Sequence, residues 1–315
     1  MTLTDEQRER LSAHAKDNPM PGTTARPPVD GQPVHIDGDY AAYYCSGNDD
    51  TTVGEARNAL LDRIERAMHV SGSTRAIVHL SDRRCTKGQR YLIAEAKPYQ
   101  GQRNTGRKPN NWEYLREFME NYSGDKFQVQ NWCDREADDG MAYLAESSYK
   151  INRPGAVLTA DKDMRMFAGL HIVWKTFQMV EIEPGTYDKV FADKQYGHKW
   201  FWLQMCTGDQ ADNIPGLPRV GEVAAEKLLD GTTCNAEAFE KVIGLYASKM
   251  GEGYADYFVE QASLLWMRTD KQADIANFLT MPNVEFTADV TRAVARMRTR
   301  VGAAQEALDA HTHEA

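Results

Sequence analysis

Apolar positions follow two rhythms along this chain. Short apolar runs at residues 34–36, 76–80, 127–130 and 156–159 read as buried strands. Between them, apolar residues return at helical spacing. Residues 54–69 are rich in Ala, Leu, Ile and Arg, and 111–122 carry Trp112, Leu115, Met119 and Tyr122 on one face. Ala137, Met141, Leu144 and Ala145 then fall at i, i+4, i+7 and i+8. Strands separated by helical patterns predict an α/β protein with a central, mostly parallel sheet flanked by helices.

The ends of the chain read differently. Residues 4–16 predict a short helix with Thr4 and Gln7 at capping-box spacing. Residues 17–33 hold Pro19, Pro21, Pro27, Pro28 and Pro33 and read as an irregular linker. Residues 232–315 read as helical. Val290, Val294, Met297, Val301, Ala304 and Leu308 form a long core stripe, with Arg292, Arg296 and Arg300 on a solvated face. The expected division is an extension and linker at 1–33, an α/β core at 34–205 with an insertion at about 83–111, and a helical region at 206–315.

Chemistry enters at the strand ends. Each of the four strands is followed by an acid: Asp37, then Asp82, then Glu136 with Asp138 and Asp139, then Asp161 with Asp163. One loop aspartate is ordinary turn chemistry. In an open parallel sheet, however, the carboxyl ends of the strands share one crevice. Acids gathered there cannot all stay ionised without cations. Oxygen ligands with no Cys or His among them suit hard ions such as Mg²⁺ or Mn²⁺. Asp209 and Asp212, at i and i+3, add to the set and bring it to nine.

The chain carries a formal charge of −9, no blanket signal for nucleic acid, yet those nine carboxylates equal the whole of it. Residues 83–108 run the other way, with eight Lys/Arg and one Glu, and Tyr91, Tyr99 and Trp112 lie within or beside them. A basic segment with aromatics beside an acidic metal site fits phosphate and base contacts. Residues 207–229 hold a glycine turn, Gly216 to Gly221, that opens a helix and offers backbone N–H groups to a phosphate. The five cysteines are odd in number and form no C-x-x-C, and no apolar run approaches membrane-spanning length. These features predict a cytoplasmic protein with reduced thiols and no membrane segment.

Six segments in this order resemble the 5′ nuclease family: VHIDGDY (34–40), the strand end at Asp82, YQGQR (99–103), READD (135–139), TADKD (159–163) and GDQADNIPGLPRVG (208–221). That family comprises flap endonucleases, the 5′-nuclease domain of bacterial DNA polymerase I and stand-alone phage enzymes. The short stand-alone layout is most similar to the 5′→3′ exonucleases of short-tailed lytic phages. The resemblance implies a PIN-like sheet, a basic helical arch threaded by single-stranded DNA, and a helix–hairpin–helix that grips duplex through K⁺. It implies Asp37, Asp82, Glu136, Asp138 and Asp161 around a first Mg²⁺, and Asp139, Asp163, Asp209 and Asp212 around a second. Arg103 matches the arch arginine at the scissile phosphate. Gln100 stands where the family has lysine, a cation that Lys97 or Lys87 would have to replace. Arg219 stands where the hairpin usually has glycine. Arg83, Arg84, Arg90, Tyr99, Arg107, Lys108, Gly216, Arg219, Gly221 and Lys227 become the expected DNA contacts.

The activity so implied is metal-assisted hydrolysis from 5′ ends and flaps of duplex DNA, extending to RNA–DNA hybrids, in phage DNA replication or degradation within the infected host cell. Two ions about 3.5–4 Å apart would generate hydroxide and stabilise the attacking and leaving oxygens. No Ser/His or Cys/His pair sits at a motif, which disfavours covalent catalysis. The rival readings are a ribonuclease built on the same sheet and a DNA-binding protein without catalysis.

Overall fold

The computed structural model describes residues 25–102, 107–151 and 155–314. The helix expected over 4–16, the linker up to residue 24, and Arg103 lie outside the described residues. Strands β1 (Val29–Asp37), β2 (Ser73–Ser81), β3 (Gln128–Trp132), β4 (Ala156–Thr159), β5 (Gly169–Val173) and β6 (Met179–Ile182) form one sheet in the order β3-β2-β1-β4-β5-β6. The first five run parallel and β6 is antiparallel to β5. All four expected strands are present. β1 starts five residues before the apolar run, because an irregularity between Val29 and Pro33 lets the last linker residues pair with the start of β2.

Both faces of the sheet are covered, as parallel sheets require. On one face lie α1 (Gly38–Cys45), α2 (Val53–Ser71) and α4 (Trp112–Glu120), packed on Val34, Ile36, Val78 and Leu158. Thr52 and Glu55 close a capping box at the start of α2, and Gly72, at φ 69°, ends it. Gly38 is required where α1 crosses β2, since a Cβ there would lie 2.5 Å from Leu80 Cδ2 and 2.6 Å from the His79 carbonyl oxygen. On the other face α5 (Ala137–Lys150) lies over Trp132, with Gly140 against the indole. Beneath it His35 and His79 are buried and share a hydrogen bond, 3.0 Å between ring nitrogens.

The helical half consists of α6 (Lys199–Thr207), α7 (Glu222–Leu229), α8 (Asn235–Met250), α9 (Tyr254–Leu265) and α10 (Ala288–Glu314), sharing one apolar core with the α5 side of the sheet. The α10 stripe is buried through Val301 and then emerges, leaving Leu308 exposed. Of the arginines expected to be solvated, Arg296 pairs with Asp256 and Arg292 with Asp289, both at the surface. Arg300 differs, donating to the carbonyls of Leu92 (2.7 Å) and Ile93 (3.0 Å), which close helix α3 (Arg90–Ile93). Among the described residues of 83–111, helix is confined to α3 and the turn before it, because Pro98 and a left-handed Gln100 (φ 54°) interrupt the pattern.

Two strands beyond the sheet, β7 (Lys189–Phe191) and β8 (Lys194–Tyr196), form a hairpin turned by Ala192 and Asp193, both at positive φ. Among the described residues no helix is long and apolar enough to cross a membrane. All five cysteines are free thiols.

Candidate active site

The sheet changes winding direction between β1 and β4, the position where open α/β sheets bind ligands. Asp37, the last residue of β1, caps α1 by accepting from the Tyr40 N–H (2.9 Å). The Thr159 hydroxyl, at the end of β4, donates to the other Asp37 oxygen (2.8 Å), so one hydrogen bond spans the switch point. The Thr159 oxygen in turn accepts from the Asp161 N–H (2.9 Å), and Asp161 from the Asp163 N–H (2.7 Å). On the far side, Ser81 at the end of β2 accepts from Ala137 N–H (2.9 Å) and fixes the first turn of α5. A cleft of about 440 Å³ results, lined by Asp37, Asp39, Glu136, Asp138 and Asp161.

Carboxylate oxygens converge in two triplets, Glu136 with Asp138 and Asp139, and Asp163 with Asp209 and Asp212, each within 4.8 Å. Asp161 lies between them and feels the charges of Asp37, Asp212 and Asp209. Burial pushes Asp161 up to about 6. Burial also holds Asp138 and Asp163 well above the usual carboxylate range, each reinforced by neighbouring acids. Asp37 is raised by burial against the pull of the Tyr40 N–H and the Thr159 hydroxyl. Among the described residues, none of Asp37, Asp138, Asp161 and Asp163 makes an ion pair. Carboxylates enclosed to this degree without an ion pair, with only oxygen to offer, fit hard divalent cations.

Two of the nine expected ligands stand apart. Asp82 belongs to neither triplet and does not line the cleft; its carboxylate turns back to accept from the Arg84 N–H (2.8 Å). Asp139 is fully buried and already saturated. Its Oδ2 accepts from Arg90 Nη1 (2.7 Å) and the Glu136 N–H (3.1 Å), and its Oδ1 from Arg90 Nη2 (2.8 Å) and the Arg268 N–H (2.9 Å). Burial acts to raise its carboxyl, but the Arg90 guanidinium and the Arg268 donors hold it below the usual range. Its four acceptor positions are spent on protein donors, which puts it behind the cleft rather than in it.

The basic segment divides in the same way. Arg90, expected on DNA, is buried; besides Asp139 it donates to the Leu264 carbonyl (3.0 Å) and lies 3.3 Å from Glu136. Tyr99, also expected on DNA, is buried with its hydroxyl donating to Glu136 (2.8 Å). Burial and then Glu136 push that phenol well above its ordinary range, so it remains a donor. Gln100 donates to both triplets, to Asp212 at 3.0 Å and Glu136 at 3.3 Å. Its carbonyl oxygen accepts from Lys87 Nζ at 2.5 Å, and the same ammonium stands 3.5 Å from Glu136. Lys97 is exposed. Arg83, Arg84 and Arg107 are exposed on the surface, and Lys108 lies over the Trp112 ring.

At the glycine turn the Gly216 N–H is taken by Gln261 (3.0 Å) and is not free for a phosphate. Arg219, Gly221 and Lys227 are exposed. Arg219 sits at φ 60°, so the turn keeps a left-handed residue where the family has glycine. Sequence reasoning missed Lys162, whose ammonium donates to Asp209 (2.8 Å), although it is written inside TADKD. It also missed Arg268, 129 residues from Asp139, for which no local signal exists.

No family model matches the chain. It is 27% identical to DNA polymerase I of Bacillus subtilis over 173 residues, 52% of this chain and 19% of that protein. It is 35% identical to DNA polymerase I of Pseudomonas aeruginosa over 116 residues, 36% of this chain and 12% of that protein. The matched stretches span a fifth or less of those relatives. Among solved structures, a bacteriophage T5 flap endonuclease complexed with DNA and metal ions aligns over 86% of this chain and 99% of its own, at 12% identity and a TM-score of 0.57. The T5 5′-exonuclease with bound zinc aligns over 86% and 99%, at 13% identity and a TM-score of 0.54.

Proposed function

We propose that this chain, which carries the 5′ nuclease fold, hydrolyses phosphodiester bonds at 5′ ends and flaps of duplex DNA with divalent metal ions. The observation that carries the reading is the convergence of carboxylates at the switch point of the sheet, among them buried Asp37 and half-buried Asp138, Asp161 and Asp163, which make no ion pair among the described residues. The exposed cations Arg83, Arg84, Arg107, Arg219 and Lys227 support contact with a phosphate backbone. RNA–DNA hybrids belong to the same substrate class, and a role in phage DNA replication or degradation, in the cytoplasm of the host, follows from the reading.

Asp37, Glu136, Asp138, Asp161, Asp163, Asp209 and Asp212 would hold the ions, two Mg²⁺ replaceable by Mn²⁺, with K⁺ at the hairpin. Bound there, the divalent ions supply hydroxide and offset charge on the attacking and leaving oxygens. The protein's own work is positioning. Tyr99 and Gln100 steady Glu136 and Asp212, and Arg90 with Asp139 anchors the first turn of α5. Lys87 is the cation best placed to replace the absent arch lysine, since Gln100 holds its ammonium beside Glu136 whereas Lys97 is exposed. Arg103 keeps its expected place at the scissile phosphate on the strength of its motif.

The test is a nuclease assay on a 5′-labelled duplex. Mg²⁺ or Mn²⁺ should support cleavage from the 5′ end, EDTA should abolish it, and Ca²⁺, which accepts looser geometry, should not restore it. Undiminished cleavage in EDTA ends the metal reading, and binding without cleavage under every ion favours the non-catalytic rival.

A further inference from the structure

The two carboxylate triplets differ in the donors that reach them. In the first, Arg90 holds Asp139 behind the cleft, and Lys87 divides its ammonium between Gln100 and Glu136. In the second, Asp212 accepts from the Gln100 amide (3.0 Å) and Asp163 from the Gln204 amide (2.7 Å), both neutral donors. A full charge reaches this triplet from Lys162, whose ammonium donates to Asp209 Oδ1 at 2.8 Å. The lysine stands between Asp161 and Asp163 in the chain and lines the same cleft.

One partner of this pair is fixed and the other is not. Asp209 is 3% exposed; its N–H and carbonyl pair with Ile214, and its Oδ1 also accepts from the Ala211 N–H (2.9 Å). The Lys162 side chain is 35% exposed, and its ammonium has no second partner among the described residues. Its backbone opens the turn Asp163–Met166 and accepts from the Arg165 N–H (3.2 Å), so the flexible four-carbon stem can swing without moving Asp161 or Asp163. A divalent ion at about 2.1 Å from Asp209 Oδ1 would lie within about 5 Å of the ammonium, where like charges repel strongly. The two cations therefore exclude each other.

We propose that Lys162 is a tethered competitor for divalent ions at the Asp163–Asp209–Asp212 triplet: its ammonium leaves Asp209 as an ion binds there and is thereby presented to a phosphate of the bound strand. The proposal rests on the nuclease reading for the ion and the phosphate, but it is tested by binding alone. Two consequences follow from charge. The triplet takes up an ion less readily than it would without the lysine. The lysine also adds to DNA binding only when the ion is bound, because the Lys162–Asp209 pair carries no net charge to a phosphate. A lysine that merely ties the end of β4 to the loop after α6 has the opposite signature, since its loss would loosen Asp209 and weaken ion binding.

The experiment titrates the full chain, stripped with EDTA and dialysed, with Mn²⁺, and reads free Mn²⁺ by electron paramagnetic resonance. The wild type should show two classes of site. In Lys162→Met, close in length but uncharged, one class should tighten about tenfold while the other holds. Lys162→Arg should keep that class weak, and Asp209→Asn should weaken it further. A second arm follows affinity for a 5′-flap duplex against salt, in EDTA and in Ca²⁺, which occupies oxygen sites without supporting cleavage. The Lys162→Met slope should equal that of the wild type in EDTA and be shallower by about one unit in Ca²⁺. Mn²⁺ affinity that is unchanged or lower in a folded Lys162→Met chain, or a salt slope that does not change in Ca²⁺, overturns the proposal. A wild-type chain that gives both expected results yet never cleaves DNA overturns the nuclease reading and leaves the role of Lys162 standing.

Discussion

Asp139, fully buried, and Asp163, half-buried, lie at the carboxyl side of the same sheet, one in each carboxylate triplet, and their surroundings move their carboxyls in opposite directions. Around Asp139 the protein supplies its own counter-charge: Arg90 grips both oxygens and two backbone N–H groups complete the set. The carboxyl is held below its ordinary range. Around Asp163 the nearest charges are Asp161 and Asp209, opposed by Lys162 and the Gln204 amide, and the carboxyl is held well above. The difference teaches how to sort an acidic cluster. A carboxylate neutralised from within belongs to the scaffold; one left short of counter-charge is where a cation from solution has work to do.

The largest test falls on the residue between the triplets. Asp161→Asn should lower turnover by about 10³-fold or more, with DNA affinity in EDTA retained or increased because a repulsive charge toward phosphate is gone. Affinity that collapses along with turnover in a folded variant would mean that Asp161 positions DNA instead.

The comparison itself is broken or kept by a pair of isosteres. Asp139→Asn strips Arg90 of its partner in the interior and should destabilise the chain by about 3–5 kcal/mol. Asp163→Asn should leave the midpoint of thermal unfolding in EDTA unchanged or higher, since it removes repulsion. Equal losses from both would show that the two triplets do not differ in kind.

Next in size is the relocated cation. Lys87→Ala should slow single-turnover cleavage by about 10²-fold, a value typical of one preorganised electrostatic contact. Gln100→Lys should recover part of that loss in the Lys87→Ala chain and do little in the wild type. If Lys97→Ala alone reproduces the loss, the assignment passes to Lys97.

The smallest effect is linkage to pH. Asp161 has a folded pKa of about 6, raised above its unfolded value. Its stabilising contribution is therefore complete below the unfolded pKa, near 4, and is lost as pH rises through about 6. Mg²⁺ takes the place of those protons, so the gap between thermal midpoints with Mg²⁺ and with EDTA should widen from pH 4 to pH 7. A gap independent of pH would deny that proton and metal compete for these oxygens.

Much of this was legible in the chain because the relevant signals are local. β1, β2 and β4 are short apolar runs that both faces of a parallel sheet demand, and the acids that follow them fall where such sheets bind ligands. The scaffold role of Asp139 was not legible, since its partners arrive from residues 90 and 268. Within the basic run, Lys87, Arg90 and Arg107 look alike on paper. One steadies the cleft, one is buried under it and one is exposed, and only packing separates them. The strands from 169 to 196 escaped notice because His171, Glu181, Lys189 and Lys194 interrupt or begin them, so none shows the unbroken apolar run of β4.

The grip on the first turn of α5 also sets an order of events. The strands and α5 leave the ribosome well before Leu264, Trp266 and Arg268, whose backbone groups hold Arg90 and Asp139 in place. Until that segment emerges, Asp139 lacks part of its shell and Glu136 lacks a fixed neighbour. Nascent chains should therefore acquire ordered acids at the cleft only after some four-fifths of the 315 residues have been made, and a ribosome-bound fragment stopped short of residue 264 should be inert toward DNA.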